Sequence, residues 1–266
     1  MAFKIEEARW VVEAGNQHKE LVEALERGGV EYTLVKPYAY CMDGFEHPYT
    51  NEPSIHHGSI GFVSSMRKYG DIFFDFEKLR CKTYYKRFKK YMLTDEYEFI
   101  DPKELLDKKE YLYDKYGVAD TIFIKPDTND KVFSGTLIEL ENFEKDAETT
   151  LSYLKNYGLY CPLVICKPWK ISHEWRFFVR SGEVITGSRY KLNNKVGYVR
   201  DWPLEAEAVA LDIANEFWAP APMFCADICL SGDEYRLLEI GAWNCSGYYA
   251  ADLDKIVEAA NQEMYW

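Results

Sequence analysis

Nowhere in the 266 residues does an uncharged apolar run approach the roughly 18 that a membrane-spanning helix needs. The opening Met1-Ala-Phe-Lys-Ile-Glu-Glu7 lacks the apolar centre of a secretory leader, so the chain is expected in the cytoplasm, with no membrane partner. Paired cysteines are missing as well. The seven present (Cys41, Cys81, Cys161, Cys166, Cys225, Cys229 and Cys245) are odd in number, scattered and never spaced CxxC. That excludes a disulfide framework and a zinc ribbon and leaves reduced, mostly buried thiols. Cations are in deficit: Lys plus Arg count 32 against 44 for Asp plus Glu, and the net charge of −12 repels a phosphate backbone. A general nucleic-acid binder is disfavoured. His56-His57 and the lone His173 have no spaced partner for metal or catalytic work, and no Ser-His-Asp or Cys-His pattern, internal repeat or low-complexity tract occurs.

What is present is core-forming material. Hydrophobic residues make up 47% and aromatic residues 16%, which excludes a disordered chain, and the length suits about two compact units. Val11 to Arg27 reads as an amphipathic helix closed by Gly28-Gly29, and Tyr32 to Val35 as a strand, an α/β opening. A loop rich in Pro, Gly and His (Pro37 to His57) and two apolar runs, Ile60 to Val63 and Asp71 to Phe76, complete a first unit ending near Glu77. Lys82 to Met92 has a helical pattern and is strongly basic, with tyrosines that invite a nucleic-acid reading. A solvated face balancing acidic neighbours is the alternative.

Thr121 to Ile124 is a β-rich run delivering Lys125-Pro126, and Lys131-Val-Phe-Ser134-Gly135 leads into a second strand, Thr136 to Leu140. A helix over Glu144 to Tyr157 and a buried strand over Leu163 to Cys166 follow, the strand stopping at Lys167-Pro168-Trp169. From there hairpins dominate. Strand alternation sets Glu174, Arg176, Phe178 and Arg180 on one face and Trp175, Phe177 and Val179 on the other. A two-residue turn at Ser181-Gly182 would put Arg176 across from Gly187 and Glu174 across from Arg189, with Lys191 on the same face. Such a cationic patch in an acidic chain suits a bound polyphosphate, or else forms a solvated ion-pair ladder. In the last hairpin, a loop one residue longer than the tightest turn would set Asp227 directly across from Glu239. Two carboxylates that close repel unless a cation lies between them, and oxygen ligands of this kind select Mg²⁺; Asn244 would add an amide oxygen. Exposed strand carboxylates are the alternative.

In this order the pieces resemble the ATP-grasp superfamily, especially its small RimK-like, phage-associated branch. The stretches that carry the resemblance are Phe123-Ile-Lys-Pro126 with Lys131 to Gly135, His173-Glu-Trp-Arg-Phe-Phe-Val179, and Cys225 to Gly247. The resemblance implies an α+β or α/β chain with a small pre-ATP-grasp domain over 1–78. Two α+β subdomains clasping ATP would follow: 79–165 with the phosphate loop and 166–266 with the metal site. It further implies that Lys125, Lys131, Ser134, Gly135, Cys166, Lys167 and Glu174 bind ATP. Arg176, Arg189 and Lys191 would steady the transferring phosphate, and Asp227, Glu239 and Asn244 would hold Mg²⁺. The family's usual reaction turns a carboxylate into an acylphosphate that an amine attacks, here with a small-molecule, peptide or protein-terminus substrate. Relatives that phosphorylate hydroxyls, and a nucleotide- or partner-binding protein without turnover, are the competing readings. The sequence departs from the family where Glu239-Ile-Gly241 puts Gly in place of a common Asn, and where the hinge reads Cys166-Lys167.

Overall fold

The computed structural model describes residues 9–36, 46–48, 54–156, 158 and 160–263. Most of the loop from Pro37 to His57 and the aromatic end Met264-Tyr-Trp266 lie outside them. Trp10, Val11 and Val12 are fully buried in strand β1 (Arg9–Glu13), so the helix expected from Val11 begins only at α1 (Lys19–Gly28). A strand covered on both faces reads as an unbroken apolar run, which periodicity alone does not separate from a helix segment. Gly29 closes α1 at φ +66°, in the left-handed region open to glycine. Strands β2 (Tyr32–Val35) and β3 (Ser54–His57) flank β1 in a parallel sheet of order β2-β1-β3, so His56-His57 belong to a buried strand and not to a loop. The run from Ile60 opens helix α2 (Ile60–Met66), with Ser59 Oγ accepting from the Phe62 amide at 3.4 Å.

Helix α3 (Cys81–Arg87) precedes an antiparallel sheet of order β4-β7-β5-β6, formed by β4 (Tyr97–Ile100), β5 (Thr121–Pro126), β6 (Thr136–Glu139) and β7 (Leu163–Cys166). Ile122, Ile124, Ile138, Leu163 and Ile165 turn to one face, where α4 (Lys109–Tyr116) and α5 (Phe143–Asn156) cover them with Leu112, Tyr116, Phe143 and Ala147. Phe123, Lys125 and Cys166 are thereby aimed the other way. Tyr84 and Tyr85 of α3 are core residues, which removes them from the basic surface that suggested nucleic acid.

The rest is a five-stranded antiparallel sheet of order β10-β9-β8-β11-β12. Its strands are β8 (His173–Arg180), β9 (Glu183–Leu192), β10 (Lys195–Val199), β11 (Met223–Ser231) and β12 (Glu234–Gly241). Alternation sends Trp175, Phe177, Val179, Ala226 and Ile228 into one core with Ala206, Ala210 and Ile213 of α6 (Leu204–Ala214). Phe178, Met223 and Cys225 enter another core, shared with Trp10, Leu21 and Leu25 and with Ile256 and Ala260 of α7 (Leu253–Glu263). The parallel sheet is thus packed on the five-stranded one, each large buried side chain contributing about 1.5–3 kcal/mol. Trp10 adds a 2.8 Å hydrogen bond from its Nε1 to Asn261 Oδ1. Backbone bonds from Leu93 N to Leu237 O (2.8 Å) and from Leu237 N to Tyr91 O (2.7 Å) tie the four-stranded unit to β12. Among the described residues no helix is long and apolar enough to cross a membrane.

Candidate active site between two antiparallel sheets

The helix-free face of the four-stranded sheet and the polar face of the five-stranded sheet border a cleft of about 640 Å³, within the size range of small-ligand sites. The four-stranded sheet contributes Phe123 and Lys125 from β5, flanked in register by Leu137 on β6 and Cys166 on β7. At Gly135 a Cβ would meet Phe123 Cζ at 2.4 Å, so glycine lets the 131–135 loop lie against that ring. The five-stranded sheet contributes Glu174, Arg176, Tyr190, Lys191, Asp227, Leu238 and Glu239, and Trp169-Lys170-Ile171 line the joint between the sheets. Four cations against three carboxylates line the cleft, the inverse of the chain's net charge of −12.

The lateral order of the strands produces the central feature. Arg176 on β8 pairs in register with Asp227 on β11, and Asp227 pairs with Glu239 on β12, so the three stand abreast. Arg176 forks onto Asp227, Nε donating to Oδ1 at 2.8 Å and Nη2 to Oδ2 at 2.7 Å, and the two side chains are only 8% and 6% exposed. Its Nη1 donates to the Gly247 carbonyl at 3.3 Å. Across the cleft, Lys125 Nζ lies 3.8 Å from Glu239 Oε2. Lys191 Nζ pairs with Glu174 Oε1 at 2.8 Å, and the Tyr190 hydroxyl donates to Glu174 Oε2 at 2.8 Å, with Asp227 Oδ2 3.4 Å away.

Two β-bulges set this register. The β11–β12 turn is tight, Ser231 pairing with Glu234 around Gly232 (φ +60°), and the extra residue is Leu238 within β12, not a longer loop. Asp227 still faces Glu239, as the sequence implies, but Leu238 and Glu239 both line the cleft. On β9 the pairing slips between Trp175–Arg189 and Glu174–Lys191, leaving Tyr190 as the extra residue. Arg189 is therefore opposite Trp175, away from Glu174, and Tyr190 takes the place the sequence assigned to it.

Burial works against the Lys125 charge, but Cys81, Tyr84, Tyr85 and Glu239 around it outweigh that and hold its pKa above the usual lysine value, so it stays an ammonium. Burial pushes the Tyr190 phenol well up, reinforced by Asp227 and Glu174, which keeps it a hydrogen-bond donor. Burial also lifts the Cys166 thiol to about 11, so it is not a thiolate nucleophile at neutral pH.

Of the residues expected from sequence, Lys125, Gly135, Cys166, Glu174, Arg176, Lys191, Asp227 and Glu239 line the cleft together. Lys131 and Ser134 are exposed on the preceding loop, outside the lining residues, with Lys131 at φ +52°. Lys167 turns aside, its Nζ 4.5 Å from the Trp169 ring centre, and Arg189 is displaced by the bulge. Asn244 is fully buried toward the parallel sheet, donating to the His56 carbonyl at 2.9 Å and to Asp71 Oδ2 at 3.2 Å, so it does not join Asp227 and Glu239. Sequence reading missed Tyr85, Tyr190 and Trp169. Trp169 Nε1 is buried with no hydrogen-bond partner, a donor left for a ligand. The donor set of Asp227 and Glu239 is all oxygen and suits a hard cation such as Mg²⁺. Among the described residues no group of three or more His, Cys, Asp or Glu side chains is placed to hold a metal, so other oxygens would have to come with a ligand.

The fold resembles several solved structures. D-cycloserine synthetase DcsG superposes with a TM-score of 0.69 at 11% identity, over 97% of this chain and 100% of the other. The ATP-grasp ligase PsnB, complexed with a phosphomimetic variant of its minimal precursor, Mg and ADP, gives 0.58 at 12% identity over 98% and 99%. D-alanine–D-alanine ligase from Bacillus anthracis complexed with ATP gives 0.58 at 12% over 97% and 95%. No curated protein sequence matches the chain. The profile of an ATP-grasp domain family, the third of its clade, matches residues 85–259, a span that takes in the whole cleft-lining set, and the chain belongs to that family.

Proposed function

We propose that the cleft binds ATP with Mg²⁺ and that the protein is an ATP-dependent ligase joining a carboxylate to an amine through an acylphosphate, releasing ADP and phosphate. The observation that carries this reading is the row Arg176, Asp227, Glu239 facing Lys125: two phosphate-seeking cations interleaved with two oxygen ligands for a hard cation. Fold relatives complexed with ATP, or with Mg and ADP, support it.

An ionised carboxylate resists attack by an amine, and phosphorylation gives it a leaving group. That transfer depends on fixed donors aimed at the charge spreading over the phosphoryl oxygens. Arg176, planar and permanently charged, fits the role at the transferring phosphate, with Lys191 beside it, and Lys125 binds the preceding phosphates. Cys166 to Lys170 border the base, where the Trp169 indole N–H is free to donate. Held by Asp227 and Glu239, Mg²⁺ would neutralise phosphate charge. The acceptor is a small molecule, a peptide or a protein terminus.

Hydroxylamine trapping tests the reaction. With ATP, Mg²⁺ and a panel of carboxylic acids, the expected product is a hydroxamate that appears only with the right acid and in step with ADP. ADP formed together with a phosphorylated alcohol and no hydroxamate would indicate a phosphotransferase instead. A second reading, nucleotide binding without turnover, draws on Asn244: its amide is committed to His56 and Asp71, which leaves the metal two protein side chains. Tight ATP binding with no ADP release under any acid and amine pair would favour it.

A further inference from the structure

We infer that Arg176 and Tyr190 form a latch on Asp227 that keeps a divalent cation out of the cleft until a nucleotide arrives, so that metal binding is conditional on the polyphosphate. The inference rests on the ATP reading of the cleft and adds an order of binding to it. Both Asp227 oxygens are engaged in the free protein: Oδ1 accepts from Arg176 Nε, and Oδ2 accepts from Nη2 with the Tyr190 hydroxyl at 3.4 Å. The side chain is 6% exposed, and its negative charge is already matched by a buried guanidinium. The other carboxylate of the pair, Glu239, faces the Lys125 ammonium at 3.8 Å. Each prospective metal ligand is therefore held by a prospective phosphate-binding cation.

A cation arriving alone must break two charge-assisted hydrogen bonds and leave Arg176 buried without a counter-charge, a state that low-dielectric surroundings penalise heavily. It would gain few ligands in return, because the described residues hold no cluster of three side-chain donors. A polyphosphate reverses both terms. Its oxygens give Arg176 and Lys125 new partners, which releases Asp227 and Glu239, and the same oxygens complete the cation's shell. By linkage, the metal must strengthen nucleotide binding by the factor by which the nucleotide strengthens metal binding.

The probe is Mn²⁺, its free concentration read by electron paramagnetic resonance on the full chain, with and without a non-hydrolysable ATP analogue whose own binding is followed by calorimetry. Wild type is expected to bind Mn²⁺ at least tenfold more weakly alone than with the analogue. Arg176→Gln is expected to bind Mn²⁺ without any nucleotide, and Asp227→Asn placed on that variant to abolish the gain. Tyr190→Phe, a milder change that serves if Arg176→Gln fails to fold, should raise nucleotide-free Mn²⁺ affinity severalfold. Equal Mn²⁺ affinity of wild type with and without a bound analogue overturns the latch, as does no gain in either variant. An analogue that never binds, with or without Mn²⁺, would instead remove the ATP reading; the gain or its absence in Arg176→Gln then still decides whether Arg176 masks Asp227.

Discussion

Arg176 and Asp227 face each other across β8 and β11 and are joined by two hydrogen bonds of 2.8 and 2.7 Å, with Glu239 next in the same row. One relationship therefore serves two ends. It neutralises charges that burial would otherwise penalise, and it keeps a phosphate-seeking cation beside a metal-seeking carboxylate.

Breaking the pair from one side leaves a buried charge. Arg176→Ala is expected to lower unfolding stability by about 3–5 kcal/mol, and the double change Arg176→Met with Asp227→Leu to recover most of it, because an apolar pair of similar volume replaces a desolvated ion pair at little net cost. Urea denaturation of the two variants measures this. Equal loss in both would mean that the fork is not what holds this part of the sheet.

Lys125 behaves differently because its partner Glu239 is 42% exposed. Lys125→Met should leave the melting point of the free protein nearly unchanged and weaken ATP binding about 10- to 100-fold, the cost of one charge-assisted hydrogen bond of about 1.5–3 kcal/mol. Calorimetric titration with ATP separates the effects; unaltered affinity would remove Lys125 from the phosphate site.

The buried thiols and His57 set limits on stability. Burial raises Cys161 and Cys166 from an ordinary 9.0 to about 11, and Cys225, Cys229 and Cys245 to about 12. Folding keeps these thiols protonated where the unfolded chain ionises them, so their contribution is whole below pH 9 and is lost as pH climbs through about 11 to 12. For His57 the sign is opposite. Burial, then His18, holds it well below 6.5, so its contribution is whole above pH 6.5 and is lost as pH falls toward its folded value. Melting curves should show Cys225→Ala flattening the alkaline fall and His57→Leu flattening the acid dependence relative to wild type. Identical slopes in wild type and variants would contradict the assignment.

Much of the cleft is legible in the sequence because strands β8 and β11 alternate cleanly: Glu174, Arg176 and Asp227 follow from period two alone. Lys125 and Cys166 end or nearly end short buried strands, which mark themselves as apolar runs. The bulges are another matter. One extra residue at Tyr190 or Leu238 leaves no mark in an alternating pattern, yet it swaps Tyr190 for Arg189 and turns Leu238 into the cleft. Asn244 was out of reach for a different reason: its partner Asp71 lies 173 residues away, and nothing local to Asn244 signals it. At β1, double-sided burial erased the period that tells strand from helix.

The most direct test of the account is a thermal-shift titration with ATP, with and without Mg²⁺, on wild type and Glu239→Ala. A ligand that binds only the folded protein stabilises it by about 2.7 kcal/mol at a hundred times its Kd. Wild type is expected to show a Mg²⁺-dependent rise in melting point that grows with the logarithm of ATP concentration, and Glu239→Ala to lose the Mg²⁺-dependent part. A wild-type melting point that stays flat up to millimolar Mg·ATP would contradict a nucleotide site built from Lys125, Arg176, Asp227 and Glu239.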